Sequence, residues 1–161
     1  MNEFFEKIYY EYKDDVYRLA LFYTQNKYDA EDIVQRTFIK MFKKLNNIQN
    51  DNIKQYLLTI TANECKDLFK SFWRRNTNSI FDIEIKASKI DSKENELLDE
   101  LKRLPKKYRI CIHLHYFYGY SVKEIAMIEN INENTAKTRL SRGRMLLKNK
   151  LERSDIYEES I

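Results

Sequence analysis

Glycine and proline are scarce in this 161-residue sequence, which contains two glycines and one proline. Tight hairpin turns need residues that tolerate positive φ, and β-sandwiches and β-barrels need many such turns. The two glycines, Gly119 and Gly143, are also too few for a glycine-rich loop that cradles phosphates. This scarcity argues against all-β folds and the common nucleotide-binding folds, and it favours helices joined by short polar links.

Cysteine and long hydrophobic runs are scarce as well. The two cysteines, Cys65 and Cys111, lie far apart, so we expect neither a disulfide scaffold nor a zinc site closed by cysteines. No apolar run approaches the ~20 residues that span a bilayer, and the acidic N-terminus lacks the features of a secretory signal. The sequence therefore predicts a cytoplasmic protein with no segment inserted in a membrane.

Positive charge is concentrated in one part of the chain, although the net charge is only +4. Residues 101–150 carry a net charge of +9, while residues 76–100 carry −4 and residues 151–161 carry −3. A basic block of this kind is the electrostatic footprint of a nucleic-acid-binding module. A solvated surface rich in lysine and arginine gives the same pattern, so charge by itself leaves both interpretations open.

Three long helices are predicted in the first half of the chain, because hydrophobic residues recur there at i, i+3 and i+4 spacings. The pattern covers residues 3–24, 30–45 and about 53–75. Asp29 is suited to cap the start of the second helix. We expect the three helices to form one small domain, residues 1–75.

The helical pattern stops over residues 76–93, which turn acidic and which we interpret as a linker. Four further helices are predicted, over about 94–103, 105–118, 121–129 and 133–152. Residues 94–152 would form a second domain, and the acidic tail over 153–161 is expected to fray. The sequence thus predicts an all-α protein of two small helical domains joined by a linker.

The segment from Ser121 to Leu147 has the layout of a helix-turn-helix. Ser121 and Glu124 have the spacing of a capping box at the start of a short helix. Asn130 can adopt the left-handed conformation in the turn that follows, and a longer basic helix comes next.

This last helix has two different sides on a helical wheel. The side that must pack on the domain carries Ala136, Leu140, Gly143, Leu147 and Leu151. The opposite side and its flanks carry the residues that we assign to DNA contact, which are Asn134, Lys137, Thr138, Arg139, Ser141 and Arg142. Polar side chains on an exposed ridge can reach base edges in a major groove, and flanking cations can contact phosphates. An amphipathic surface helix in a small bundle is the alternative, but the capped helix, the short turn and the basic helix together favour DNA binding.

The second half of the chain resembles region 4 of bacterial sigma-70 family factors. The resemblance rests on Leu104-Pro105, on the run GYSVKEIAMI from Gly119 and on the run NTAKTRLSR from Asn134. The family pattern reads L-P, then G-x-S-x-x-E-I-A, then G-T-V-x-S-R-x-x-R. Asn134, Ala136 and Thr138 replace Gly, Val and Ser of that pattern, and none of these changes removes a basic residue.

The first half resembles region 2 of the same family. Residues 29–38, DAEDIVQRTF, are similar to the pattern D-A-E-D-x-x-Q-x-x-F. Residues 55–67 are similar to W-L-x-x-I-A-x-N-x-x-x-D, with Tyr56 in place of the usual Trp. Two independent motifs in this order are more specific than either alone, and the resemblance covers residues 9–151. The chain is therefore similar to the extracytoplasmic-function (ECF) group, which lacks regions 1.1 and 3.

The resemblance implies a dissociable subunit of RNA polymerase that directs promoter-specific initiation. It assigns the last helix to the −35 promoter element, and the third helix to the recognition and opening of the −10 element. One face of the third helix carries Tyr56, Thr59, Asn63, Lys66, Lys70 and Arg74. Cations on this face can follow phosphates, the aromatic ring can stack on a base, and Asn63 can read a base edge. A solvated helix face is the alternative interpretation.

The resemblance also implies protein partners. The exposed face of the second helix carries Asp29, Asp32, Gln35 and Arg36. In the family, this region binds the β′ clamp helices of core RNA polymerase, and region 4 binds the β flap. Members of the ECF group are commonly held inactive by an anti-sigma factor, which we therefore expect as a further partner.

No catalytic or cofactor site is predicted. Cys111, His113 and His115 could suggest a metal site, but on a helix His113 points away from the other two, so three ligands would not converge. Acidic pairs such as Asp14 and Asp15 occur without an accompanying nucleophile or glycine-rich loop. We predict no enzyme activity, no metal, no cofactor and no small-molecule substrate.

A stand-alone helix-turn-helix regulator is the alternative function. Its N-terminal helices would then serve in dimerisation or ligand binding. Such a regulator binds its operator alone, whereas a sigma factor needs core polymerase.

Overall fold

The computed structural model describes residues 2–75 and 92–159, with side chains for 2–49, 51–71 and 97–153. In this part of the chain the regular secondary structure is helical and includes seven α-helices. They are α1 (Glu3–Thr24), α2 (Lys27–Lys43), α3 (Ile53–Arg75), α4 (Ser92–Arg103), α5 (Lys106–Tyr116), α6 (Val122–Glu129) and α7 (Glu133–Glu159). The chain divides into two compact units, Met1–Ile85 and Lys86–Ile161. The all-α prediction is confirmed.

The first unit is built from α1, α2 and α3, each of which packs against the other two. Its core is formed by buried apolar side chains from all three helices. They include Ile8, Val16, Leu19, Ala20, Tyr23, Ala30, Ile33, Phe38, Met41, Leu57, Leu58, Ala62 and Cys65. Two short 3-10 helices, Leu45–Asn47 and Asn50–Asn52, lead from α2 to α3. The helices predicted over 3–24 and 53–75 are confirmed.

The start of α2 differs from the prediction, because the helix begins at Lys27 and its N-cap is Asn26. Asn26 Oδ1 accepts hydrogen bonds from the backbone N–H groups of Tyr28 at 2.9 Å and Asp29 at 3.1 Å. Asp29 was predicted to be the cap, and this prediction is wrong. Asp29 lies in the first turn instead, where its exposed carboxylate is placed well for the positive end of the helix dipole.

The second unit is built from α4 to α7, with α7 packed against each of the other three helices. Its core is formed by the buried apolar residues Leu101, Leu104, Ile110, Cys111, Ile112, Leu114, Ile125, Ala126, Ile128, Ala136 and Leu140. Pro105 is the N-cap of α5 rather than part of its first turn. Gly119 ends the segment with φ +71°, a conformation that favours glycine.

Two differences concern segments between and after the domains. The predicted linker over 76–93 lies outside the described residues, except for its last two positions, which already belong to α4. The tail from Arg153 was expected to fray, but α7 continues through it as far as Glu159. Across the described ranges, no helix is both long enough and apolar enough to cross a membrane.

Candidate nucleic-acid interface

The short helix α6 and the turn after it fix where α7 begins. The backbone N–H of Ser121 donates to the Glu124 carboxylate at 2.8 Å, and the Ser121 hydroxyl accepts from the Glu124 N–H at 3.2 Å, which is the predicted capping box. Asn130 ends α6 in the left-handed conformation with φ 54°, as predicted. Asn132 Oδ1 then accepts from the Thr135 N–H at 2.7 Å, so the side chain of Asn132 caps the start of α7.

One side of α7 is buried against the rest of the unit. Ala136 and Leu140 are almost fully buried, and Gly143, about one turn after Leu140 on the same side, is buried too. A Cβ atom at Gly143 would lie 2.6 Å from Cδ1 of Ile112 and 3.2 Å from Cβ of Tyr108. The absence of a side chain is therefore what lets α7 approach α5 this closely.

The opposite side of α7 is exposed. It carries five of the six residues predicted to contact the −35 element, namely Asn134, Lys137, Thr138, Ser141 and Arg142. These side chains follow the spacing of adjacent helical turns, so they form one continuous polar ridge. A ridge of this type on a capped second helix has the shape and chemistry to enter a major groove.

Arg139, the sixth predicted residue, is only half-exposed, and its charge interacts with another residue of the helix-turn-helix. Its charge interacts with the carboxyl of Glu129, the last residue of α6, which is 4% exposed. Burial raises the pKa of Glu129 to about 7, and the positive charge of Arg139 partly opposes that rise. Sequence reasoning did not single out Glu129, because a glutamate at the end of a short surface helix gives no sign of burial.

An arginine of α7 contacts a tyrosine of α5. Arg144 Nε donates to the Tyr116 hydroxyl at 2.8 Å, and its guanidinium lies 5.5 Å from the centre of the same ring. Desolvation raises the pKa of Tyr108, but its interactions with Arg142 and Lys107 outweigh this rise, so the net pKa is lowered.

Arg109 is a buried arginine that sequence reasoning missed. Its guanidinium donates to the carbonyl oxygens of Lys102 at 3.3 Å and Leu104 at 3.2 Å, which lie at the C-terminal end of α4. Burial lowers the pKa of Arg109 to about 10. In the sequence it is one cation among many in a basic block, so only the packing of α4 against α5 distinguishes it.

The side chains on the predicted −10 face of α3 differ in how far they are exposed. Asn63 and Lys70 are exposed, and Lys66 is half-buried. Thr59 is half-buried and donates its hydroxyl hydrogen to the carbonyl oxygen of Gln55 at 2.8 Å. Tyr56 packs partly against the core cluster of the first unit, so its ring is not fully presented to solvent. The side chain of Arg74 lies outside the described residues.

The predicted polymerase-binding residues on α2 lie together. Asp29, Gln35 and Arg36 are exposed, and Asp32 Oδ2 forms an ion pair with Arg36 Nε at 2.9 Å. The pair joins residues four apart on one helix face. The four side chains therefore give α2 a continuous polar surface of mixed charge.

The side chains of Cys111, His113 and His115 contact neighbouring protein groups. Cys111 and His113 are buried, and the His113 ring lies 4.9 Å from the Phe117 ring and 5.1 Å from the Tyr118 ring, centre to centre. His115 Nδ1 lies 2.9 Å from the carbonyl oxygen of Tyr120. Among the residues the structure describes, no group of three or more His, Cys, Asp or Glu side chains could hold a metal ion.

Both halves of the chain are similar to known proteins of one family. Residues 8–75 match the family described as Sigma-70 region 2, and residues 94–147 match the family described as Sigma-70, region 4. The RNA polymerase sigma factor SigV of Bacillus subtilis is 32% identical over 149 residues, which cover 91% of this chain and 90% of SigV. The ECF RNA polymerase sigma factor SigM of the same organism is 30% identical over 151 residues, covering 89% and 92%.

Solved structures share the fold. The sigma factor RpoE from Bartonella quintana, solved in complex with the anti-sigma factor NepR, has a TM-score of 0.79 at 24% identity, covering 94% of this chain and 98% of RpoE. CnrH, solved with the cytosolic domain of CnrY, has a TM-score of 0.65 at 21% identity, covering 92% and 87%. Since regions 2 and 4 are both matched, in this order and over most of the chain, the protein belongs to the sigma-70 family of RNA polymerase sigma factors, in its extracytoplasmic-function group.

Proposed function

We propose that this sigma factor reads the −35 promoter element with α7 and recognises and opens the −10 element with α3. The observation that carries the proposal is the division of α7 into a buried side and an exposed polar ridge. Residues 94–152 would act as region 4, residues 1–75 as region 2, and residues 76–93 as the linker between them. The net charge of +9 over residues 101–150 suits a surface that approaches phosphates.

Within the ridge, the side chains would divide the work by their chemistry. Arg142 has the planar fork that matches the two acceptors of guanine, whereas Asn134, Thr138 and Ser141 offer shorter hydrogen-bonding groups to base edges. Lys137 is suited to phosphate contact, which sets orientation and affinity rather than sequence preference. Arg139 would contribute mainly through the conformation of the motif, because its charge already interacts with the buried Glu129.

On α3, the exposed side chains of Asn63 and Lys70 are the strongest candidates for contact with the −10 strand. Unstacking a base costs a few kcal/mol, so the open strand must be held by new contacts. Lys66 and Arg74 would add charge along the strand. Tyr56 would stack on a base only after some movement, because its ring packs partly on the core.

The polar surface of α2 is our candidate for the polymerase contact. Asp29, Asp32, Gln35 and Arg36 would bind the β′ clamp helices of core RNA polymerase, and region 4 would contact the β flap. RpoE and CnrH were solved in complexes with NepR and the cytosolic domain of CnrY, and we propose an anti-sigma partner for this chain too. We further propose that the protein works in the cytoplasm and performs no catalysis of its own.

Reconstitution with core RNA polymerase tests the function. We expect the chain to direct initiation at specific promoters only when core enzyme is present, and sequencing of the transcript starts would define those promoters. A chain that bound a promoter-like site equally well without polymerase would instead be a stand-alone helix-turn-helix regulator.

Single substitutions then test the residues in promoter-specific run-off transcription. Arg142→Ala should weaken −35-dependent transcription about 5- to 100-fold, as loss of one bidentate base contact does. Asn63→Ala should alter the base preference at the −10 element. Arg153→Ala, at an exposed arginine farther along α7, and Asn47→Ala, in the 3-10 helix after α2, are the matched controls. Unchanged transcription in both test variants would refute these residue assignments.

A further inference from the structure

One apolar side chain, that of Met145, lies in line with the polar ridge of α7. On a helical wheel Met145 is aligned with Asn134, Thr138 and Ser141, at successive spacings of four, three and four residues. All four side chains are exposed, and Met145 is 62% exposed. Met145 therefore belongs to the ridge by position, although its chemistry differs from that of its neighbours.

The direction of helical side chains brings Met145 close to Arg142. Residues three apart on a helix are separated by about 4.5 Å along its axis. Long side chains on a helix lean towards its N-terminus, so the methionine covers the surface one turn back, beside Ser141 and Arg142. Neighbouring base pairs of DNA are about 3.4 Å apart along the duplex axis. A ridge that enters a major groove would thus bring Met145 to the base pair that Arg142 reads, or to a pair next to it.

We propose that Met145 is a specificity-determining residue: its side chain contacts the C5-methyl group of a thymine in the −35 element. The inference rests on the proposed function, since it assumes that the ridge of α7 enters the major groove of that element. The thymine belongs to the base pair read by Arg142 or to a pair adjacent to it.

The physical reason is that base edges in the major groove are polar except for this methyl group. The amide, hydroxyl and charged groups of the ridge can form hydrogen bonds with the polar edges, whereas a methionine can remove apolar surface from water against the methyl group. The flexible, polarisable methionine side chain adapts readily to such a neighbour. Burial of one methyl group corresponds to about 4-fold in affinity. Because Met145 is exposed in the free protein, this gain arises only when DNA binds.

The test removes the thymine methyl group and leaves every hydrogen-bonding group of the base in place. Holoenzyme is reconstituted from core polymerase and the full chain, and run-off transcription from a mapped promoter is measured at limiting holoenzyme. Each thymine of the −35 element, on either strand, is replaced singly by deoxyuridine. Single-base-pair variants of the same element locate the pair at which Arg142→Ala loses discrimination.

Three variants of the chain are compared with wild type on these templates. Met145→Gln replaces the side chain by a polar one of similar length, and Met145→Leu keeps it apolar. Met127→Ala is the matched control, because it removes a methionine of α6 that is 59% exposed and lies outside the ridge. Thermal unfolding by circular dichroism verifies that each variant is folded.

We expect deoxyuridine to lower transcription by the wild-type holoenzyme about 4-fold at one thymine, in or next to the base pair that Arg142 reads. Met145→Gln should transcribe the thymine and deoxyuridine templates equally, because it has no apolar group to meet the methyl. Met145→Leu should retain most of the difference, and Met127→Ala should retain all of it.

Three outcomes would overturn the inference and leave the proposed function standing. They are a −35 element with no thymine in or next to the pair read by Arg142, a wild-type holoenzyme that does not respond to deoxyuridine there, and a response that is as large in Met145→Gln as in wild type. If Arg142→Ala also changes no base preference, the assignment of the ridge fails together with the role of Met145.

Discussion

Glu64 of α3 forms an ion pair with Lys40 of α2, although the side chain of Glu64 is only 5% exposed. One turn earlier on both helices, the hydroxyls of Thr37 and Thr61 lie 3.4 Å apart. Both polar pairs join α2 to α3 within about one helical turn, so they mark one place where the two helices contact. A slip of either helix would leave polar groups buried opposite apolar ones, which is costly.

We expect Lys40→Met to lower the free energy of unfolding by about 1–3 kcal/mol, because the buried carboxylate of Glu64 would lose its counter-charge. Urea denaturation followed by circular dichroism measures the change. Lys43→Met replaces an exposed lysine of the same helix and should change stability by less than about 0.5 kcal/mol. Equal urea midpoints for the two variants would show that the ion pair adds nothing to stability.

Substitutions at Asn26 and Asp29 distinguish an effect on the stability of α2 from an effect on polymerase binding. Asn26→Ala removes the N-cap of α2 and should cost about 1 kcal/mol of stability. Asp29→Ala removes an exposed carboxylate from the first turn and should cost a few tenths to about 1 kcal/mol. Binding to core polymerase, measured by fluorescence anisotropy of labelled chain, should weaken for Asp29→Ala and stay near wild type for Asn26→Ala. If Asn26→Ala weakened binding to core polymerase and Asp29→Ala did not, the assignment of this surface would be contradicted.

Gly143→Ala should destabilise the second unit by up to about 2 kcal/mol. Alanine is favoured over glycine within a helix by about 1 kcal/mol, but its Cβ would lie 2.6 Å from Ile112 Cδ1, and overpacking of this kind costs about 1–3 kcal/mol. Ile112→Val deletes that methyl group. The double variant should therefore be less destabilised than the sum of the two single variants, as measured by thermal unfolding. Strict additivity would show that the contact at Gly143 is not the cause.

Glu129 should make the stability of the second unit depend on pH. Its pKa in the folded protein is about 7, above its usual value of 4.5, so the folded state holds a proton that the unfolded state releases. Stability relative to Glu129→Gln should be highest below pH 4.5 and should fall by up to about 3 kcal/mol as pH rises to 7. Urea denaturation of both proteins across this range measures the difference. A difference that does not vary with pH would contradict the raised pKa.

Local signals in the sequence were sufficient for several elements. The bounds of α1 and α3 follow from hydrophobic periodicity, and the capping box at Ser121 and the left-handed Asn130 follow from short-range backbone chemistry. The start of α2 was misplaced because Asn26 and Asp29 can both cap a helix, and the sequence does not say which backbone groups are left free. The ridge of α7 was predictable because the helical period itself separates its two sides.

The sequence by itself determined the all-α class, the helix-turn-helix and the family, since each depends on residue order and spacing along one chain. Only the tertiary structure decided that Glu64, Arg109 and Glu129 are buried, and that Arg144 donates to the Tyr116 hydroxyl. Burial and pairing between helices depend on which faces meet and how closely they approach. A charged residue gives the same sequence signal on a solvated face as in a packed interface, so its role appears only when its neighbours from other helices are in place.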